Sequence, residues 1–158
     1  MKKLLTLENE DNLNYYLIAI RNKLEDYLFA YHLNKSAFFN FKRVETDLSY
    51  IIANKTVYFT TFEYVNFELD QNSFLIKNSS FFKNKTEGEK LLFSDEFVYN
   101  KVFLLPELKE FDYFLKLNGI WKTAEILKIR QHLNSLNTVE SEIIVNIKTI
   151  KSINNLIF

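Results

Sequence analysis

The chain has 158 residues, a length that one folded domain fills, and its 20 Lys and Arg balance 20 Asp and Glu, so it lacks the net positive field of a typical DNA-binding domain. It contains no Cys, which excludes a disulfide framework, a thiolate metal site and a cysteine nucleophile. Sixteen Phe and nine Tyr against two Gly and one Pro leave a surplus of large rings, part of which is expected on an association surface.

Met1-Lys2-Lys3-Leu4-Leu5 begins like a signal peptide, but Glu8, Glu10 and Asp11 interrupt it before an apolar core forms, so the segment is expected to stay in the mature protein. No stretch approaches the roughly 18 apolar residues of a membrane-spanning helix. A cytoplasmic protein of one domain, residues 1–158, with no membrane partner is therefore expected. Leu4 to Leu7 and Tyr15 to Ile20 read as strands joined by a polar turn. Leu24, Tyr27, Leu28, Tyr31 and Phe38 then recur on one helical face, and Asn22 with Glu25 suggests a cap, which predicts a helix over 23–38.

Phe41 to Asp47 reads as a strand and Leu48 to Lys55 as a connection. Val57 to Phe67 alternates densely, with Tyr58, Thr60, Phe62 and Tyr64 on one face of a single strand, and Phe74 to Asn78 is expected to pair with it across a polar turn at Leu69 to Ser73. Lys83 to Lys90, with Gly88, reads as a loop tip. Val102 to Leu105 is a strand stopped by Pro106, and Phe111 to Leu117 is another, closed by Asn118-Gly119. Ile126, Ile129, Leu133 and Leu136 predict a helix over 123–136, followed by a strand at Glu142 to Ile147 and an apolar tail that docks.

The fold class this predicts is α+β, a mainly antiparallel sheet with two helices on one side. A shift of one hundred positions aligns Leu4, Leu5, Leu17, Ile20, Glu25, His32, Leu33 and Asn34 with Leu104, Leu105, Leu117, Ile120, Glu125, His132, Leu133 and Asn134. That alignment suggests an internal pseudo-twofold duplication of a strand-helix-strand unit.

The most distinctive segment is Leu105-Pro106-Glu107-Leu108-Lys109-Glu110-Phe111-Asp112-Tyr113. It resembles the signature of the bacterial IPExxxVDY family, with Leu105 in place of Ile and Phe111 in place of Val. The likeness extends through Leu24-Glu25-Asp26-Tyr27 and His32-Leu33-Asn34 to Asn154-Asn155-Leu156-Ile157-Phe158. The resemblance implies a cytoplasmic protein found chiefly in Bacteroidota, and it brings no established activity, cofactor or active-site residues.

Three chemistries compete for the remaining residues. Pro106, Glu107, Asp112 and Tyr113 suit a tight turn with hydrogen-bonding carboxylates; an enzymatic reading instead pairs Glu107 and Asp112 as acid and base, which requires environments that push their pKa values apart. Tyr58, Phe62 and Tyr64, with Lys77, Lys83, Lys85 and Lys90, form a candidate stacking platform for single-stranded RNA, against the plainer reading of sheet core and solvated loop. His32 and His132 each follow a Glu by seven helical positions, about 10.5 Å, too far for one ion to bridge directly. No metal site or other cofactor is expected, and with Gly88 and Gly119 the only glycines a phosphate-cradling loop is excluded. The leading expectation is a non-enzymatic binding or scaffold protein that self-associates, as a homodimer or with a protein partner. The alternatives are the RNA binder and the small acid-base enzyme.

Overall fold

The computed structural model describes residues 14–85, 97–156 and 158. Its centre is a six-stranded sheet of β1 (Tyr15–Asn22), β2 (Lys42–Arg43), β5 (Thr61–Asn66), β6 (Gln71–Lys77), β9 (Tyr113–Gly119) and β10 (Val139–Ile144). The spatial order is β10-β1-β9-β6-β5-β2, and every neighbouring pair is antiparallel. Two two-stranded sheets accompany it: β3 (Leu48–Ile52) with β4 (Lys55–Phe59), and β7 (Ser79–Lys85) with β8 (Phe97–Phe103). With helices α1 (Asp26–Asn34) and α2 (Thr123–Ser135), this is the α+β architecture the sequence predicts. No helix among the described residues is long and apolar enough to cross a membrane.

The sheet is covered on both faces, and for that reason its central strands read as unbroken apolar runs. In β1, Leu17, Ile18, Ala19 and Ile20 are all fully buried. Ile18, Ile20, Leu75, Tyr113, Leu115 and Leu117 meet Phe29, Leu33, Ile126, Ile129 and Leu133 of the helices. Leu17, Ala19, Phe74, Ile76 and Phe114 face the other way, against Val57 and Phe59, the Leu104 to Phe111 loop and the segment from Val145 to Leu156. Arg130 holds Glu142 at 2.8 Å and so ties α2 to the edge strand β10.

Several elements depart from expectation. Helix α1 is shorter than 23–38, because Asn22 ends β1 instead of capping the helix and its Oδ1 accepts a bond from the Leu24 N–H at 3.0 Å. At the other end the Asn34 amide donates to the Phe41 carbonyl at 2.9 Å and accepts from the Phe41 N–H at 2.6 Å, turning the chain away. The extended run at 41–47 keeps only the two-residue β2, and Leu48 to Lys55 is a strand and a hairpin turn. β7 occupies residues expected to be a loop tip; the rest of that tip, 86–90, and the strand expected at Leu4 to Leu7 lie outside the described residues. The strand after α2 begins at Val139, three residues before Glu142.

The helices do lie on one side of the sheet, but the gapless repeat does not extend to the strands. Phe29 and Leu33 correspond to Ile129 and Leu133 beneath the helices, whereas Leu17 faces the ribbons and Leu117 faces the helices. Even-numbered residues of β1 and odd-numbered residues of β9 point to the helical layer, so an even offset joins opposite faces. Connectivity differs as well: β1 and β2 are separated by three strands, while β9 and β10 are separated by β1 alone.

Candidate functional site

The signature segment is a loop built around an amide that the sequence reading passed over. Pro106 opens a single 3-10 turn, Pro106–Leu108, after Leu105 in extended geometry. Beneath it lies Asn78, fully buried between β6 and β7. Its Nδ2 donates to the carbonyls of Leu108 and Phe111, both at 2.9 Å, and its Oδ1 accepts from the Leu105 N–H at 3.0 Å. Its backbone donates to the Asp112 carbonyl at 2.8 Å and accepts from the Leu104 N–H at 2.7 Å. One residue thus satisfies a loop whose own backbone forms no ladder.

Both signature carboxylates are consumed by structure, in different places. Asp112 Oδ2 accepts the Asn22 N–H at 2.8 Å, and the Tyr113 hydroxyl donates to the Leu24 carbonyl at 2.6 Å, so together they hold the corner between β1 and α1. The Tyr113 ring is buried 5.0 Å from that of Phe29, and burial raises its phenol pKa. Glu107 accepts the Ser152 N–H at 2.8 Å and the Ser152 hydroxyl, and that hydroxyl holds its carboxyl below the usual range. The two carboxylates share no hydrogen bond, and an acid held anionic is a poor proton donor.

The proposed aromatic row does not form one surface. Tyr58 is on β4 of the two-stranded sheet, 55 % exposed, whereas Phe62 and Tyr64 are on β5 and face the helical layer. The break is at Thr60: the following Thr61 is buried, with its N–H on Asp47 Oδ1 at 3.1 Å and its hydroxyl on the Phe59 carbonyl at 2.8 Å. Of the lysines assigned to that platform, Lys77 is on β6 and Lys83 and Lys85 are on β7; Lys90 lies outside the described residues. His32 and His132 sit on separate helices, the first ring against Tyr31 and the second against Phe38. Burial lowers the His132 pKa and leaves its Nε2 without a hydrogen-bond partner, which favours the neutral ring. Among the described residues no cluster of three or more His, Cys, Asp or Glu is placed to hold a metal ion.

The sequence reading also missed Lys116. It points from the middle of β9 into the ribbon face, 4 % exposed, and among the described residues no carboxylate forms an ion pair with it. Its ammonium donates to the Leu156 carbonyl at 2.6 Å and lies 4.2 Å from the ring centre of Phe158 and 4.8 Å from that of Tyr15. Burial pushes its pKa down to about 8. A cleft of about 420 Å³, lined in part by Asp47, Thr61, Glu63, Phe74 and Phe158, opens beside this cage. The alternation Tyr-Phe-Leu-Lys-Leu in β9 was the available signal, since a lysine between buried neighbours on a two-faced strand must itself enter the core.

The helices differ in what they show to solvent. Around α1 the sequence Asp-Tyr-Leu-Phe-Ala-Tyr-His-Leu-Asn carries a single carboxylate, and Tyr27, Leu28 and Tyr31 project outward at 62 %, 36 % and 56 % exposure. α2 turns Lys128 and Gln131 outward, with Leu127 its one large exposed apolar side chain. No family model matches the chain, and neither a curated protein nor a solved structure matches it.

Proposed function

We propose that the chain is a non-enzymatic binding protein that self-associates through the outer face of α1. The observation that carries this reading is Tyr27, Leu28 and Tyr31 standing in solvent on one face of a helix whose other face is already packed. A helix with apolar side chains on two faces belongs between two surfaces, and among the described residues only one is supplied. The engagement of Glu107, Asp112 and Asn78 in the loop supports an architectural role for the signature residues over an acid-base one. It is also the role this reading gives to the segment that resembles the IPExxxVDY family.

Two α1 helices packed antiparallel about a twofold axis seat Tyr27, Leu28 and Tyr31 of each copy against those of the other, with the Lys35 ammonium, 4.5 Å from the Tyr31 ring centre, at the rim of the contact. Sedimentation velocity over a wide concentration range tests this. Wild type should shift from monomer to dimer, and Tyr27→Glu with Tyr31→Glu should stay monomeric with a melting temperature close to wild type. Lys128→Glu on α2 should leave the dimer intact. A wild type that stays monomeric at every concentration overturns the reading.

A further inference from the structure

β7 and β8 form an antiparallel ribbon whose two faces have opposite character. Phe82 and Val102 turn inward and pack on the ribbon-side core, and the Lys55 side chain reaches from β4 to the Lys83 carbonyl, fastening the ribbon to the body. On the outward face Phe81 stands opposite Lys101 and Lys83 opposite Tyr99. Directly opposed residues share a face, so this one is a checkerboard with rings on one diagonal and ammonium groups on the other. Phe81 is 59 % exposed and Tyr99 58 %, and both lysines are exposed. The Lys83 ammonium lies 5.4 Å from the Tyr99 ring centre, and the Lys101 ammonium 5.3 Å from that of Phe103. The two strands, Ser-Ser-Phe-Phe-Lys-Asn-Lys and Phe-Val-Tyr-Asn-Lys-Val-Phe, contain no acidic residue, so the charged groups that the checkerboard itself contributes are both positive.

We propose that this face binds single-stranded nucleic acid, with Phe81 and Tyr99 stacking on bases and Lys83 and Lys101 contacting phosphates. Such strands alternate flat apolar bases with anionic phosphates, and the checkerboard repeats that alternation. Diagonal neighbours on a strand pair stand about 7 to 8 Å apart, wider than the 3.4 Å rise between stacked bases of a duplex. The platform therefore fits bases that have been pulled apart. An acidic peptide would meet the lysines but leave both rings without partners. The site differs from the Tyr58, Phe62, Tyr64 row read from the sequence, and it is independent of the α1 face.

Fluorescence anisotropy with the full chain and a labelled oligouridine of about ten nucleotides tests it, a length within the range one such platform covers. Binding should weaken with salt, and Phe81→Ala or Tyr99→Ala should each reduce affinity about five- to hundredfold. Phe81→Trp and Tyr99→Phe keep a ring and should retain binding, which separates lost stacking from lost folding. Replacing Lys83 and Lys101 together by Gln should lower the log-log salt slope by about 1.4, two phosphate contacts at about 0.7 each. The connection between the strands carries Glu87, Glu89, Asp95 and Glu96, so the slope is read as a difference between variant and wild type. The proposal is overturned by a folded wild type that leaves the anisotropy unchanged at low salt. It is equally overturned by alanine variants that bind as wild type does, or by a duplex or polyglutamate of similar length binding as tightly as the oligouridine.

Discussion

The two faces of the central sheet are covered by different means. On the helical side, Phe29, Leu33, Ile126, Ile129 and Leu133 come from two helices that satisfy their own backbones, so the layer is held mainly by apolar contact, with the Tyr113 hydroxyl at the entry to α1 and the Arg130–Glu142 pair on α2 as its polar ties. On the other side the cover is two ribbons, a loop and a tail, whose backbones need partners from outside themselves. Buried or half-buried polar groups supply them: Asn78 under the signature loop, Lys116 to the Leu156 carbonyl, Asn155 to the Leu104 carbonyl at 2.8 Å, and the Tyr50 hydroxyl to the Phe103 carbonyl at 2.7 Å. Irregular chain packs against a sheet as well as a helix does, provided that polar anchors are buried with it.

The comparison breaks most sharply at Asn78. Asn78→Ala leaves the Leu105 N–H and the Leu108 and Phe111 carbonyls unmet in a buried place, and should cost about 3 to 5 kcal/mol in urea unfolding. Leu33→Ala on the helical side should cost a similar about 2 to 5 kcal/mol. The rescue distinguishes the sides: Leu33→Met should lose less than about 1.5 kcal/mol, while Asn78→Leu should recover nothing. If Asn78→Leu is tolerated, the ribbon side is held by packing after all.

Lys116 sharpens the comparison through pH. Its pKa falls from 10.5 to about 8 on folding, because burial opposes the charge. Below about pH 8 the amine is protonated in both folded and unfolded chains, so its effect is constant. Between about 8 and 10.5 the unfolded chain holds more protons, and stability from this group rises with pH, by on the order of 3 kcal/mol in all. Tyr15, raised to about 12 by burial, acts in the opposite direction above pH 10, since its folded form keeps the proton longer. Melting curves of wild type against Lys116→Met isolate the lysine: the difference between them should change across pH 8 to 10 and be flat below it. A constant difference would mean that the amine is wetter than its surroundings imply.

The smallest effect is expected in the turn between β3 and β4, where Ala53 and Asn54 hold φ of 49° and 61°. Alanine in left-handed geometry is strained, so Ala53→Gly should add about 0.5 to 1 kcal/mol, measured as a rise in the urea midpoint.

That turn also shows where the sequence is hard to read. A two-residue hairpin of this kind normally announces itself with Asn-Gly, and Ala-Asn gave no such sign, so Leu48 to Lys55 read as a connection. β1, the core of β9 and α2 were legible because burial on two faces, or on one helical stripe, leaves an unmistakable pattern. The change of sheet at Thr60 was not, because period-two alternation continues through it and only the Asp47 and Phe59 contacts of Thr61 reveal the bend. At the signature, Pro106, Asp112 and Tyr113 were visible as a motif, but their roles depend on residues distant in sequence. Asn22, Leu24 and Asn78 complete those roles, and nothing in the local pattern marks Asn78 as different from any other asparagine.

The position of β1 has a consequence for how the protein comes to exist. β1 lies between β9 and β10, with Ile18 paired to Leu115 on one side and Ile144 on the other. Hairpins such as β3 with β4 and β5 with β6 close over a few residues and can form within about 1 to 10 microseconds. The strand at the heart of both cores must wait until residues beyond 110 have been made and brought back across the whole chain, a loop closure whose entropy is lost before any pairing compensates. Chains dominated by such distant pairings fold in about milliseconds to seconds. During that interval Leu17, Ile18, Ala19 and Ile20 form an apolar strand with neither edge protected, the stretch of this protein most exposed to mispairing and to chaperones.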